Sequence, residues 1–125
     1  MFGLLCALLG CHYVADFCLT TPRMIEAKAK GDPWMPIVGH ASVHAVLMGG
    51  VMCLFGFEWL LCLYLACFQL VTHFSIDLAK GLLTGNSATL ADNTGKPFWM
   101  LYGLDQLLHL IAIVMMVAVL FPDIS

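Results

Sequence analysis

The sequence predicts an all-α protein, a four-helix transmembrane bundle of up-down antiparallel topology in one domain over residues 1–125. Three observations carry that prediction. The chain is 62% hydrophobic and only 10% charged, with a mean hydropathy of +0.94, too little polar surface for a soluble domain of this length. Four apolar runs each approach the ~20 residues that cross a bilayer core as a helix. The second and third runs are joined by so few residues, around "FGFEW", that their helices must be antiparallel neighbours.

The spans are drawn at about 1–20, 36–57, 58–83 and 98–121. The first is read as a span rather than a signal peptide. It lacks a basic start, and its apolar run continues past any small-residue cleavage site. "TPRMIEAKAKGDPW" separates the first two spans, polar and interrupted by Pro22, Gly31 and Pro33; "TGNSATLADNTGKP" separates the last two and reads as a loop. Trp34, Trp59 and Trp99 flank span ends and suit interfacial anchors. Gly49, Gly50 and Gly81 suit close helix contacts. The six cysteines lie in apolar runs without a CxxC pair and read as small packing residues.

Orientation follows from the basic residues. Arg23, Lys28, Lys30, Lys80 and Lys96 all fall on the side of the two long connections, whereas the opposite side has Glu58 and Asp123 and no Lys or Arg. The positive-inside rule therefore predicts long loops in the cytoplasm and both termini outside, with the chain in the inner membrane of bacteria. The net charge of −3 is unclustered, which argues against a nucleic-acid partner. The expected surroundings are the lipid bilayer; the oligomeric state is not legible.

Each span carries one pair of ionisable residues four apart: His12 and Asp16, His40 and His44, His73 and Asp77, Asp105 and His109. All five histidines are used. Residues four apart share one face of a helix, one turn above the other. Up-down topology brings the four pairs to the same, cytoplasmic depth. It also sorts them into an outer layer of Asp16, His40, Asp77 and Asp105 and an inner layer of His12, His44, His73 and His109, one ~5.4 Å turn deeper.

A single His or Asp near a helix end is ordinarily hydrogen-bonded or snorkelling. Four coincident pairs inside a bilayer must find partners. Structural His–Asp hydrogen bonding is one answer. Metal binding is the better one, since helical bundles build such sites from inward carboxylates and imidazoles on facing helices. The donor set suits a divalent transition metal, one or two ions of zinc, iron or manganese.

Gln69, His73, Asp77 and Lys80 share one helical face. That sets Lys80 at the cytoplasmic mouth, able either to bind an anionic substrate group or to snorkel to headgroups. Gln106, beside Asp105, can hydrogen-bond a ligand or a neighbouring helix. Asp16 is assigned to proton transfer, because Asp77 and Asp105 stand next to Lys80 and Gln106 whereas the residues around Asp16 offer no such support.

"HYVADF", "HASVH", "HFSIDLAK" and "LDQLLH" together resemble the motif series of a small bacterial and phage membrane family, catalogued as a domain of unknown function. The resemblance covers nearly the whole chain. It marks His12, Asp16, His40, His44, His73, Asp77, Lys80, Asp105, Gln106 and His109 as characteristic positions and implies no activity. The family pattern expects a Gln shortly after the first Asp-Phe; "DFCLTT" has Thr20 and Thr21 there.

The expected function is a metal-dependent hydrolase acting on a membrane-associated substrate, lipid-linked or phosphorylated. Metal-activated water would attack there, with Asp16 and Lys80 as catalytic residues. The alternatives are a metal or proton transporter and a non-enzymatic phage-type membrane effector with a structural metal. A transporter needs polar access from both sides, and the outer half is almost wholly apolar in "MFGLLCALLG", "VLMGGVMCLFG" and "IAIVMMVAVLF".

Overall fold

The computed structural model describes residues 1–122, and among these there is no strand. Six α-helices account for nearly all of it: α1 (Phe2–Tyr13), α2 (Pro22–Lys30), α3 (Trp34–Leu54), α4 (Trp59–Gly85), α5 (Ala88–Ala91) and α6 (Lys96–Leu120). A π-helical turn, Val14–Cys18, continues α1. α1 packs on α3 and α6, and α4 packs on α3 and α6, so the four long elements close into a ring. Asp123, part of the charge argument above, lies outside the described residues.

α3, α4 and α6 are each long and apolar enough to cross a membrane; a fourth span exists if Phe2–Cys18 and α2, bent by 97° at their junction, count as one broken span. The outer surface supports a lipid setting. Leu54 is 87% exposed and Val46 73%, while all five histidines, Asp77 and Asp105 are turned inward. A water-soluble fold would reverse that arrangement. The helix ends differ from the drawn spans by a few residues, and where the first was drawn the helical run is the shorter Phe2–Cys18.

The first connection is not the open polar loop expected. α2 occupies it, folded back against α3 and α4. The local chemistry is that of a well-bounded helix. The Thr21 hydroxyl accepts the Met24 N–H at 3.3 Å, Pro22 stands in the first turn, and Gly31 closes the helix at φ 72°. Proximity to α4 depends on glycine. A Cβ on Gly81 would lie 2.5 Å from the Gly31 nitrogen and 2.7 Å from the Lys28 carbonyl oxygen, and one on Gly85 would lie 2.7 Å from the Lys30 carbonyl oxygen. The Thr84 hydroxyl donates to the Ala29 carbonyl oxygen at 2.6 Å across the same contact.

Gly49 also serves close packing, with Ala66 3.1 Å from its would-be Cβ. Gly50 faces open space instead. The cysteines correct their reading as packing residues: only Cys62 is buried, and Cys6, Cys18, Cys53 and Cys67 are exposed on the apolar exterior. Trp34, Trp59 and Trp99 are exposed near the starts of α3, α4 and α6, as interfacial anchors require.

The half of the bundle far from α2 is filled by hydrocarbon, with Leu4, Leu8, Met48, Met52, Ile113 and Met116 at its centre. The polar residues occupy the other half.

Candidate metal centre

The four i, i+4 pairs converge. In the inner layer His44 stacks on His73 with ring centroids 3.7 Å apart; His73 lies 4.2 Å from His109, and His12 lies 5.1 Å from His44 and 5.3 Å from His109. In the outer layer His40 Nε2 is 2.9 Å from Asp16 Oδ1 and 3.7 Å from Asp77 Oδ2. His40, His44, His73 and Asp77 have no exposed surface. The π-turn sets Asp16 at the inner face, with the Thr20 hydroxyl donating to the Ala15 and Asp16 carbonyl oxygens at 3.0 and 2.6 Å. Such turns recur where a helix is bent to a functional purpose.

Two ligand groups result. One atom each from Asp16, His40, His44 and His73 lie within 4.8 Å of one another, as do one each from His73, Asp77 and His109. His73 belongs to both. No cysteine belongs to either. Both ring nitrogens of His12 and of His44, together with Nε2 of His73 and of His109, are buried without a hydrogen-bond partner. Three of these nitrogens face a carboxylate in ion-pair range without hydrogen-bond geometry: Asp16 Oδ atoms lie 3.5 Å from His12 Nε2 and His44 Nε2, and Asp77 Oδ2 lies 3.3 Å from His73 Nε2. Each such orphaned group would cost about 1–3 kcal/mol, so a cluster of six calls for a ligand. Imidazole lone pairs and carboxylates within this span fit a divalent transition metal.

Neighbouring groups orient the ligands. His109 Nδ1–H donates to the Asp105 carbonyl oxygen at 2.7 Å, which leaves its Nε2 lone pair facing the cluster. The Gln69 amide lies 3.5 Å from His73 Nδ1, and Gln69 Oε1 is buried without a partner. Turned over, that amide accepts the Nδ1–H and frees His73 Nε2 in the same way. Gln106 Nε2 donates to Asp105 Oδ2 at 3.1 Å.

Lys28 is the functional candidate that sequence reasoning missed, having been counted only as a loop charge. Its Nζ lies 3.0 Å from Asp16 Oδ1, 3.1 Å from Asp77 Oδ2 and 2.9 Å from His40 Nε2. An ammonium thus sits among three outer-layer ligand atoms. Burial pushes its pKa down, but the Asp77 and Asp16 carboxylates outweigh that and hold it above the ordinary lysine value. The available signal was the Thr21-Pro22 start and Gly31 stop of α2, which make residues 24, 27, 28 and 31 one helical face.

Two expectations change. Lys80 does not snorkel: its Nζ donates to Asp105 Oδ2 at 3.0 Å, lies 3.9 Å from Asp77 Oδ1 and sits 5.7 Å over the Tyr102 ring. Nor is Asp16 unsupported, since Lys28 and His40 both engage it. Its support comes from α2 and α3 rather than from its own helix.

A cavity of about 410 Å³ opens on the outer layer between α2 and α6. Lys28, Lys80, Asp16 and Gln106 stand in its lining with Phe17, Phe98 and Leu101, whereas Asp77 and Asp105 are not part of it.

No curated protein and no solved structure matches this chain. A family model does, that of "Protein of unknown function (DUF3307)", over residues 4–125. With that match spanning nearly its full length, and with the four motifs meeting at one polar centre, the chain belongs to the DUF3307 family.

Proposed function

We propose that this is a multi-pass bacterial inner-membrane protein whose His/Asp centre binds a divalent transition metal and hydrolyses a membrane-associated substrate at the cytoplasmic leaflet. In this reading Phe2–Cys18, α3, α4 and α6 cross the bilayer, both termini are outside, and α2 lies at the cytoplasmic end. Arg23, Lys30 and Lys96, on that same side, favour the orientation. Lys28 and Lys80 carry less weight for it, because their charges are taken up inside.

The observation that carries the metal assignment is the set of unpartnered, buried imidazole nitrogens contributed by four different helices. His73, Asp77 and His109 would hold the ion, with His44 stacked on His73 and His12 completing the imidazole layer. A second ion in the outer layer would have to share Asp16 and His40 with the Lys28 ammonium, which favours one ion. It would supply Lewis acidity and a water made acidic enough to react near neutral pH. Asp16 is the carboxylate that lines the cavity. It takes the proton from the attacking water, and Lys28 stabilises it as the anion between cycles. Lys80, held by Asp105, neutralises negative charge that develops on the substrate.

Hydrolysis is favoured over transport because the far half of the bundle is packed with hydrocarbon, with no polar route through it among the described residues. The test is isotopic. Metal-loaded protein in nanodiscs of native lipid is incubated in ¹⁸O-water, and the lipid and soluble fractions are examined by mass spectrometry. Products carrying the label, absent with Asp16→Asn, are expected. Absence of any labelled product would leave a metal-stabilised scaffold as the surviving account.

A further inference from the structure

Lys28, Lys80 and Asp16 form the charged, inner end of the cavity between α2 and α6, and Thr20, Thr84, Tyr102 and Gln106 are its other polar groups. There the Lys28 and Lys80 ammoniums face it, each retaining a small exposed fraction, 14% and 16% of the side chain. Of the carboxylates that hold them, Asp77 and Asp105 are buried behind and do not line it, whereas Asp16, 3.0 Å from the Lys28 ammonium, does. The walls are apolar: Phe17, Ile25, Phe98 and Leu101. Phe17 and Ile25 are 57% and 59% exposed, so the wall runs out onto the protein's apolar exterior. A volume of about 410 Å³ falls in the range of small-molecule sites, about 300–1,000 Å³.

Charge decides the class of ligand. With neutral imidazoles, three aspartates against two lysines leave the centre one charge negative. A divalent ion reverses the sign. An anion then becomes the complement of the inner end, and paired ammoniums suit a phosphate, which they bind as point charges. An apolar wall continuous with the exterior suits a chain that arrives from the bilayer.

We infer that this cleft binds a membrane lipid phosphate. Its phosphomonoester head sits between Lys28 and Lys80, and its acyl chain lies along Phe17, Ile25, Phe98 and Leu101. The inference rests on the metal reading for its net charge, and it names the substrate class of that site.

Native mass spectrometry tests it, since bound metal and bound lipid are counted on the same ion. Detergent-purified protein is offered phosphatidic acid, phosphatidylcholine or inorganic phosphate. Metal-bearing protein should retain phosphatidic acid, and Lys80→Gln should weaken retention by about tenfold or more, as expected for one lost charge-assisted bond. Ala29→Trp supplies an independent variant, because Ala29 lines the cavity from an exposed helix position and its replacement obstructs the chain without touching the charges. It should reduce lipid binding and leave metal content unchanged. Equal retention of phosphatidylcholine, or undiminished binding with Ala29→Trp, would overturn the assignment. Binding of inorganic phosphate as tight as that of the lipid would overturn the bilayer as its source. Metal-bearing protein that neither retains phosphatidic acid nor converts it sinks the cleft and spares the metal centre. Lipid held by protein without metal, before and after metal titration, spares the cleft and sinks the metal centre.

Discussion

Lys28 Nζ lies 3.0 Å from Asp16 Oδ1, an ion pair between residues twelve apart that exists because α2 doubles back beneath the bundle. The same ammonium reaches Asp77 Oδ2 at 3.1 Å. It bridges two helices and stands among atoms that could otherwise hold a metal ion.

Lys28→Met, similar in length and uncharged, should therefore free Asp16, His40 and Asp77. Metal content should rise from about one ion per chain toward two, the number such ligand sets support. In metal-free protein the same change leaves buried carboxylates uncompensated and should destabilise by about 3–5 kcal/mol. Elemental analysis of purified protein and thermal unfolding in detergent read the two effects. Unchanged metal content would show that Lys28 does not stand in for a cation.

His73→Ala and His109→Ala should each abolish metal binding while the helices stay inserted, as His73 belongs to both ligand groups and His109 presents an oriented lone pair. Gln69→Ala should leave the ligands intact and weaken metal affinity by roughly 10–100-fold. Titration with zinc against a competing chelator measures this. Full affinity in all three variants, or no binding by the wild type, would return the cluster to structural hydrogen bonding.

Asp16→Asn should retain fold and metal while ending ¹⁸O incorporation, since the amide cannot accept the proton. Concurrent loss of metal would make Asp16 a ligand rather than a base. Retained turnover would remove it from the chemistry.

Gly81→Ala should destabilise the protein by about 1–3 kcal/mol, the usual penalty of forcing atoms into a packed contact. Its Cβ would fall 2.5 Å from the Gly31 nitrogen, and α2 would have to move, carrying Lys28 with it. Thermal unfolding is the readout. Gly50→Ala, facing open space, is the matched control and should change little.

Reporter fusions after Ser125 should report an external C-terminus, and a cysteine introduced at Asn86 should be labelled only from the cytoplasmic side. The opposite pattern would invert the orientation and with it the leaflet that the centre faces.

The pairs four apart on each of four apolar runs were readable in the chain alone, because helical periodicity puts such residues on one face whatever the packing. Up-down connectivity added their common depth, and the separation of the inner His12, His44, His73 and His109 from the outer Asp16, His40, Asp77 and Asp105 followed from it. The apolar far half was equally plain, since hydrocarbon composition needs no coordinates. The path of α2 was not. Its capping residues mark a helix, but the 97° bend and the contact permitted by Gly31, Gly81 and Gly85 are properties of two surfaces meeting. Hence Lys28 read as a loop charge until the fold placed it against Asp16 and Asp77. Lys80 likewise was open to an anionic substrate group or to headgroups, and only the packing of α4 against α6 set it against Asp105. Intrahelical spacing is set by local geometry, whereas long flexible side chains take their partners from whichever element packs within reach.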